Sequence, residues 1–209
     1  KDMLKSNMVD IFVIGNINFY EIEKLIRENF EFVTLKRTRM PSVIECNKVP
    51  KKIKTITEQD DITQAKLAIG CRTVNLTQYE RNYPLTIYNI LLGGGSDSKL
   101  FTEVREKNSL AYTVRSVPNK LDNLLLITAG IAKENFKKAV KLIEEEMKKM
   151  EKGEFNEEDI EKAKQFYVTA LEESTDSPGR IIDSYYMMEL LGTDDIETKK
   201  KKMLKVTTK

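Results

Sequence analysis

The most restrictive feature of this chain is an absence, since its 209 residues contain no histidine. A Ser-His-Asp triad, a Cys-His dyad and any zinc site with a histidine ligand are therefore excluded from this sequence. Tryptophan is also absent, and the two cysteines, Cys46 and Cys71, form no CxxC pair. Two isolated cysteines exclude a scaffold of disulfides and a four-thiolate zinc site. The sequence thus predicts no metal site of its own.

An excess of charge of one sign is also missing, because 35 lysines and arginines face 33 aspartates and glutamates. A net charge of +2 gives no general attraction to nucleic acid or to an anionic membrane. No apolar run approaches the roughly 20 residues of a membrane span, and no signal-peptide pattern opens the chain. We therefore expect no nucleic-acid or membrane partner. Runs such as EEEMKKMEKGE are typical of solvated helix faces.

Cysteine usage favours a cytoplasmic, reducing location. Cys71 ends the alternating segment QAKLAIGC on the same face as Leu67 and Ile69, which predicts a buried free thiol. Pairing of Cys71 with Cys46 is left open by the sequence.

The hydrophobic pattern divides the chain into a short unit, a linker and a larger domain. VDIFVIGN (Val9–Asn16) has the pattern of a buried strand, and NFYEIEKLIRENF after it has one apolar helical face. The stretch that follows is basic, contains two prolines and lacks periodicity, which is typical of a linker. We predict a βα unit in residues 1–34, a linker in 35–52 and a main domain in 53–209.

The main domain alternates strand pairs with helices. The predicted elements are strands Ile53–Glu58 and Gln64–Thr73, helices Gln78–Leu92 and Ser98–Lys107, strands Ala111–Val117 and Leu124–Ile131, and helices over 133–150, 156–173, 177–191 and 193–205. Pro84 falls inside the first of these helices and predicts a kink or a late start. Short turns within the strand pairs predict an α+β fold, a ferredoxin-like ββαββα arrangement with helices packed on one face of an antiparallel sheet.

The stretch LLGGGSDSKLFTEVREKNSLAYTVRS joins a glycine-rich bend (Gly93, Gly94 and Gly95), a short helix and a strand. Arg105 and Tyr112 stand seven positions apart, at the end of that helix and the start of that strand. The glycines lack the spacing of a P-loop and of a dinucleotide-binding turn. On the residues alone, two interpretations stay open. The pair contacts an extended ligand, or Arg105 pairs with a glutamate on its own helix face while Tyr112 packs its ring at the sheet edge.

This stretch resembles the signature of the second half of the insulinase and pitrilysin type metallopeptidases, which include mitochondrial processing peptidase. The family pattern S-[KR]-L-F-x-x-[VL]-R-E-K-x-x-L-A-Y is matched from Ser98 to Tyr112. QAKLAIG and EKGEFNEEDIEKAK resemble flanking family segments, and VDIFVIGNINFYEIEKLI resembles the strand and helix that close the preceding homologous domain. Within the family, the chain is most similar to the non-catalytic partner of paired bacterial processing-protease-like proteins.

The resemblance implies how the parts of the chain are used. In the family, homologous α+β domains enclose an unfolded peptide. An inverted H-x-x-E-H motif holds zinc in the catalytic half, and the opposite half supplies an Arg–Tyr pair that contacts the substrate. Carried onto this sequence, that pair is Arg105 and Tyr112. The resemblance implies a peptide or unfolded protein as substrate, a homologous catalytic half or subunit as partner, no cofactor in this segment, and zinc only in that catalytic half or partner.

Several alternatives stay open at this point. The whole protein is a peptidase, or a subunit without catalytic activity that binds peptides or acts as a scaffold. From another class, the domain is a ferredoxin-like anion or RNA binder that uses the glycine loop with Lys99, Arg105, Lys107 and Arg115. The resemblance also implies that residues 1–34 close a preceding domain and that the main domain is truncated at its C-terminus. We therefore expect Val9–Phe30 to dock on the vacant edge of the main sheet, or to exchange into a second chain as a homodimer.

Overall fold

The computed structural model describes residues 9–30 and 48–208. The chain divides into two compact units, one formed by Lys1–Ser42 and Val168–Lys201 and the other by Val43–Tyr167 and Lys202–Lys209. Cys46 and most of the predicted linker lie outside the described residues.

Helices supply most of the regular structure. In chain order they are α1 (Phe19–Asn29), α2 (Gln78–Asn82), α3 (Pro84–Gly93), a π-helix (Phe101–Lys107), a 3₁₀ turn (Lys133–Asn135), α4 (Phe136–Glu151), α5 (Glu157–Ser174), α6 (Pro178–Leu191) and α7 (Ile196–Leu204). The strands β1 (Ala65–Arg72), β2 (Ala111–Asn119) and β3 (Leu124–Ile131) form an antiparallel sheet in the order β1–β3–β2. This arrangement confirms the predicted α+β class. No helix in the described parts of the chain is long and apolar enough to cross a bilayer.

In the first unit, the predicted helix is present and the predicted strand is not. Asn18 caps α1, because its Oδ1 accepts a hydrogen bond from the Tyr20 amide at 2.9 Å. Val9–Asn16 is not a strand, and apolar side chains such as Val13 are exposed. A strand needs a neighbour for its backbone hydrogen bonds, and no described strand pairs with this segment. Its docking or exchange stays a prediction.

One face of the sheet, which we call the covered face, carries the main core. Helices α3 and α4 and the π-helix pack against it through Leu92, Val104 and Ile143, all fully buried. The inward side chains of the sheet are Leu67, Ile69, Cys71, Ala111, Val114, Ser116, Leu125, Ile127, Ala129 and Ile131. Burial of this apolar surface is the principal stabilising contribution to the domain.

The opposite face of the sheet, which we call the open face, has no helix of the same compact unit packed on it among the described residues. Most of its side chains are exposed. In cross-strand rows they are Lys66, Gly130 and Thr113; Ala68, Thr128 and Arg115; Gly70, Leu126 and Val117; and Arg72, Leu124 and Asn119. The prediction of helices on one face only is therefore confirmed.

Two other predicted elements differ in detail. Ile53–Glu58 forms no strand, and Ile53 is 94% exposed. Ile53 and Ile56 would project from opposite sides of a strand, so this segment has no apolar face to bury. The helix predicted from Gln78 to Leu92 is broken at Tyr83, where Pro84 begins the next helix. The break confirms the effect expected of Pro84.

The run EEEMKKMEKGE is not entirely solvated. Glu146 falls on the buried stripe of α4, with Ile143 and Met150 as neighbours on that face, and is only 1% exposed. Its Oε1 accepts a hydrogen bond from Lys149 Nζ at 2.5 Å. This bond is the largest cause of the raised pKa of Lys149. The ion pair with Lys149 offsets the free-energy cost of burying the Glu146 carboxylate in the apolar stripe.

Candidate functional site

Arg105 lies on the π-helix, whose turns are wider than those of an α-helix. The Leu110 amide donates to the Val104 carbonyl at 2.9 Å, and the side-chain amide of Asn108 donates to the Glu103 carbonyl at 2.8 Å. Buried Val104 anchors this helix in the core. π-Helical turns are rare and occur frequently at functional sites. The sequence predicts a short helix here but not its wider turns.

The Arg105 side chain stays at the surface and is held by weak contacts. Its guanidinium carbon lies 4.6 Å from the centre of the Phe101 ring, and Nε lies 3.5 Å from Glu106 Oε1. Glu106 is the next residue along the chain, so this contact differs from the pairing across one helix face that the sequence left open. The side chain is still 43% exposed. A guanidinium has five N–H donors, so it can bind a further acceptor without losing these contacts.

Tyr112 is an extra residue in strand β2. Ala111 pairs with Ile131 and Thr113 pairs with Gly130, so Tyr112 is a β-bulge residue with no cross-strand partner. The phenol is 65% exposed. It makes no hydrogen bond or ring contact with any residue that the structure describes. Bulges redirect side chains and are frequent beside active sites.

A short turn fixes the two elements relative to each other. Ser109 ends the helix with a φ of +50°, a conformation uncommon outside glycine. Its amide donates to the Arg105 carbonyl at 3.0 Å. The π-helix packs against β2. Arg105 and Tyr112 therefore project from two adjacent elements, both of irregular backbone, and neither is a hydrogen-bond partner of the other in the described structure.

The glycine-rich bend has a packing role at its first residue. A Cβ on Gly93 would lie 2.7 Å from both the amide nitrogen and the Oγ of Ser116, so only glycine lets the end of α3 approach β2 this closely. Ser116 is also tied to α3 by a 2.8 Å bond from its Oγ to Asn89 Oδ1. Gly94 follows the helix, and the Gly95 carbonyl accepts a 2.6 Å bond from Ser98 Oγ. These bonds account for the bend without a bound anion.

Cys71 is a free thiol on the covered face, as predicted, and it is partly buried against the core rather than fully buried. Burial raises its pKa. Burial, with smaller effects from Cys71 and Glu151, raises the pKa of the nearby Tyr88 to about 12. Raised pKa values keep both groups protonated and unreactive near neutral pH. This is the chemistry of core residues, so neither group is a candidate nucleophile.

The described residues of this chain do not fit a zinc site. Zinc in proteins is held by histidine, cysteine and carboxylate ligands, and histidine is absent. Within residues 9–30 and 48–208, no group of three Cys, Asp or Glu side chains is placed to hold a metal.

Comparisons with known proteins agree with this architecture. The family model described as the peptidase M16 inactive domain matches residues 1–167. The chain is 37% identical over 164 residues to the probable inactive metalloprotease YmfF of Bacillus subtilis (strain 168), and this match covers 77% of the chain and 37% of YmfF.

Two solved structures are similar over most of the chain. A protein of Enterococcus faecalis V583 has a TM-score of 0.77 at 25% identity, covering 92% of this chain and 45% of that one. A protease from Helicobacter pylori has a TM-score of 0.69 at 18% identity, covering 93% of this chain and 48% of that one, and supports the fold alone. The chain thus spans less than half the length of these relatives. Because the family model covers most of its residues, the chain belongs to the peptidase M16 inactive-domain family.

Proposed function

We propose that this chain is a non-catalytic domain that binds an extended peptide through Arg105 and Tyr112. The observation that carries the proposal is the placement of these two side chains. Each is exposed and projects from an irregular backbone element, and the two elements are adjacent. The fold alone gives no reason for Tyr112, since β2 alternates regularly between buried and exposed residues if the bulged residue is left out.

The chemistry of the pair suits a peptide backbone. A guanidinium donates charge-assisted hydrogen bonds to carbonyl oxygens, and a phenol donates to a carbonyl or to the oxyanion that develops when the carbonyl is attacked. Neither role requires a titrating base on this chain. The site lies at the surface, because the side chains of both Arg105 and Tyr112 are exposed. An open surface is better suited to an extended chain than to a small molecule.

The partner belongs to the same proposal. We propose that the bound peptide faces a homologous catalytic half or subunit, and that zinc is held there and not on this chain. A catalytically inactive whole protein that binds peptides, or acts as a scaffold for an active partner, is the alternative within the family. A homodimer formed by exchange of Val9–Phe30 and a cytoplasmic location also stay proposals. The free Cys71 thiol supports the location, since a reducing compartment maintains it.

The anion or RNA alternative has less support. Lys107 is bound to Glu103 at 2.7 Å and Arg105 is near Glu106, so two of its four cations have carboxylate neighbours. The glycine bend that would hold a phosphate is explained by the approach of α3 to β2.

Peptide binding by the 209-residue chain tests the proposal. Fluorescence anisotropy with a labelled, unfolded peptide should show saturable binding. Loss of a charge-assisted bond in Arg105→Ala should weaken binding about tenfold, and loss of the phenol donor in Tyr112→Phe about threefold to fivefold. The fold should persist in both variants, because both side chains are exposed.

Arg180→Ala and Tyr185→Phe are matched controls, since both residues are exposed and lie in the other unit. They should bind the peptide like the parent chain. If Arg105→Ala and Tyr112→Phe are folded and also bind like the parent, the roles assigned to these two residues are wrong.

A further inference from the structure

The open face departs from the charge balance of the rest of the chain. Its charged side chains are Lys66, Arg72 and Arg115, and none of its outward positions holds a carboxylate. Across the whole sequence the two signs are nearly equal, 35 against 33. On the helices, many cations have an acidic neighbour, as in the 2.7 Å pair of Lys162 with Glu158. The open face is therefore a local region of positive potential on a nearly neutral chain.

The cations of this face are not neutralised by the described structure. The side chains of Arg115 and Lys66 make no ion pair or hydrogen bond with any described residue. Arg72 donates from Nη1 to the Asp122 carbonyl at 2.9 Å, which fixes its position but leaves its charge in place. A carboxylate brought to this face would find guanidinium donors that no described carboxylate occupies.

The face continues directly from Tyr112. Thr113, Arg115 and Val117 form the outward row of β2, and they begin at the bulge. A strand rises roughly 3.3 Å per residue, so Arg115 lies about 7 Å beyond Thr113. An extended peptide repeats its side chains at the same interval. A peptide that contacts Tyr112 and runs along β2 would therefore place one of its own side chains close to Arg115.

We propose that the open face selects extended peptide segments that carry aspartate or glutamate, with Arg115 as the specificity-determining residue. Lys66 and Arg72 add to the attraction from the other edge of the sheet. This inference rests on the proposed function, because it assigns a substrate class to the same site. The small side chains between the cations, Ala68 and Gly70, leave the face flat enough for a strand-like ligand to approach.

The experiment compares labelled peptides that differ only in charge. Three peptides of equal length carry Glu, Gln or Lys at the same alternate positions, and anisotropy is measured with the 209-residue chain at low and physiological salt. We expect the Glu peptide to bind about fivefold more tightly than the Gln peptide, with the difference reduced by salt. Arg115→Gln should remove most of that difference. Lys138→Gln, which alters an exposed cation on α4, should not.

The outcomes separate this inference from the proposed function. Equal binding of the three peptides, with the Arg105 variant still weakened, overturns the charge preference and leaves peptide binding in place. Absence of binding by all three overturns both. Tighter binding of a short single-stranded RNA than of the Glu peptide, lost in Arg115→Gln, assigns the face to nucleic acid and also overturns the inference. Thermal unfolding followed by circular dichroism verifies that Arg115→Gln and Lys138→Gln are folded.

Discussion

The two faces of the sheet differ in almost every property, although the same three strands form both. On the covered face, apolar side chains meet two helices and the π-helix, and positions such as Ile131 are fully buried. On the open face, three cations stand among small, polar and aliphatic residues, and most of these side chains are exposed. The comparison separates the residues that hold the fold together from those available to a ligand. Substitutions on the covered face should therefore lower the free energy of unfolding much more than substitutions on the open face.

The largest effect should come from truncating a core side chain of β3. Ile127 is 1% exposed on the covered face, and its neighbour Leu126 is 36% exposed on the open face. Ile127→Ala should lower the free energy of unfolding by about 2–4 kcal/mol, because it removes buried methyl groups and leaves a cavity. Leu126→Ala should lower it by about 1 kcal/mol or less, since water already contacts that side chain. Urea unfolding monitored by circular dichroism measures both, and equal losses would contradict the distinction between the faces.

A smaller effect is expected where α3 meets the covered face. Gly93→Ala places a Cβ 2.7 Å from the Ser116 amide nitrogen and 3.1 Å from Leu100 Cδ1. The backbone must shift, so we expect a loss of about 1–3 kcal/mol in the free energy of unfolding. Gly95→Ala is the control two residues away, where a new Cβ meets nothing within 4 Å. It should change stability by about 0.5 kcal/mol or less. If Gly93→Ala has the same free energy of unfolding as the parent, α3 and β2 are not in close contact at this position.

The smallest effect concerns alkaline stability. Burial is the main reason that the pKa of Tyr88 is raised from 10.0 to about 12 in the folded chain. A group whose pKa is raised by folding contributes stability in full below its unfolded value, and that contribution is lost as the pH rises through the folded value. The loss attributable to Tyr88 should fall between pH 10 and pH 12. Tyr88→Phe should therefore lose less stability than the parent when urea unfolding at pH 11 is compared with pH 8.

Other titrating groups, including Cys71 with its raised pKa, are present in both proteins and cancel in this comparison. Parallel losses in the parent and in Tyr88→Phe would show that the phenol is as hydrated in the folded chain as in the unfolded one.

The covered face was largely predictable from the sequence, and the reason is periodicity. Alternation in QAKLAIGC placed Leu67, Ile69 and Cys71 on one side of a strand, and α4 showed its apolar stripe at helical spacing. Glu146 was missed because it looks like part of a charged run. Its position on the stripe, between Ile143 and Met150, was the available signal.

The strands predicted at Val9–Asn16 and Ile53–Glu58 failed for a different reason. A hydrophobic pattern indicates that a segment can form a strand, but pairing depends on a neighbour that local sequence does not specify. The family signature identified Arg105 and Tyr112, whose roles stay proposals. Neither the π-helix nor the bulge was predicted, because one extra residue per turn or per strand alters the apolar spacing too little to detect.

The bulge at Tyr112 determines what deletion of one residue would do to strand β2. Deleting one residue from a strand usually turns every following side chain to the opposite face. Here the deletion of Tyr112 would join Ala111 directly to Thr113 and restore regular alternation, because these residues already pair with adjacent positions of β3. We therefore expect a chain that lacks Tyr112 to keep the pairing of β2 with β3. Such a chain would keep the fold and lose the phenol to which we assign peptide binding.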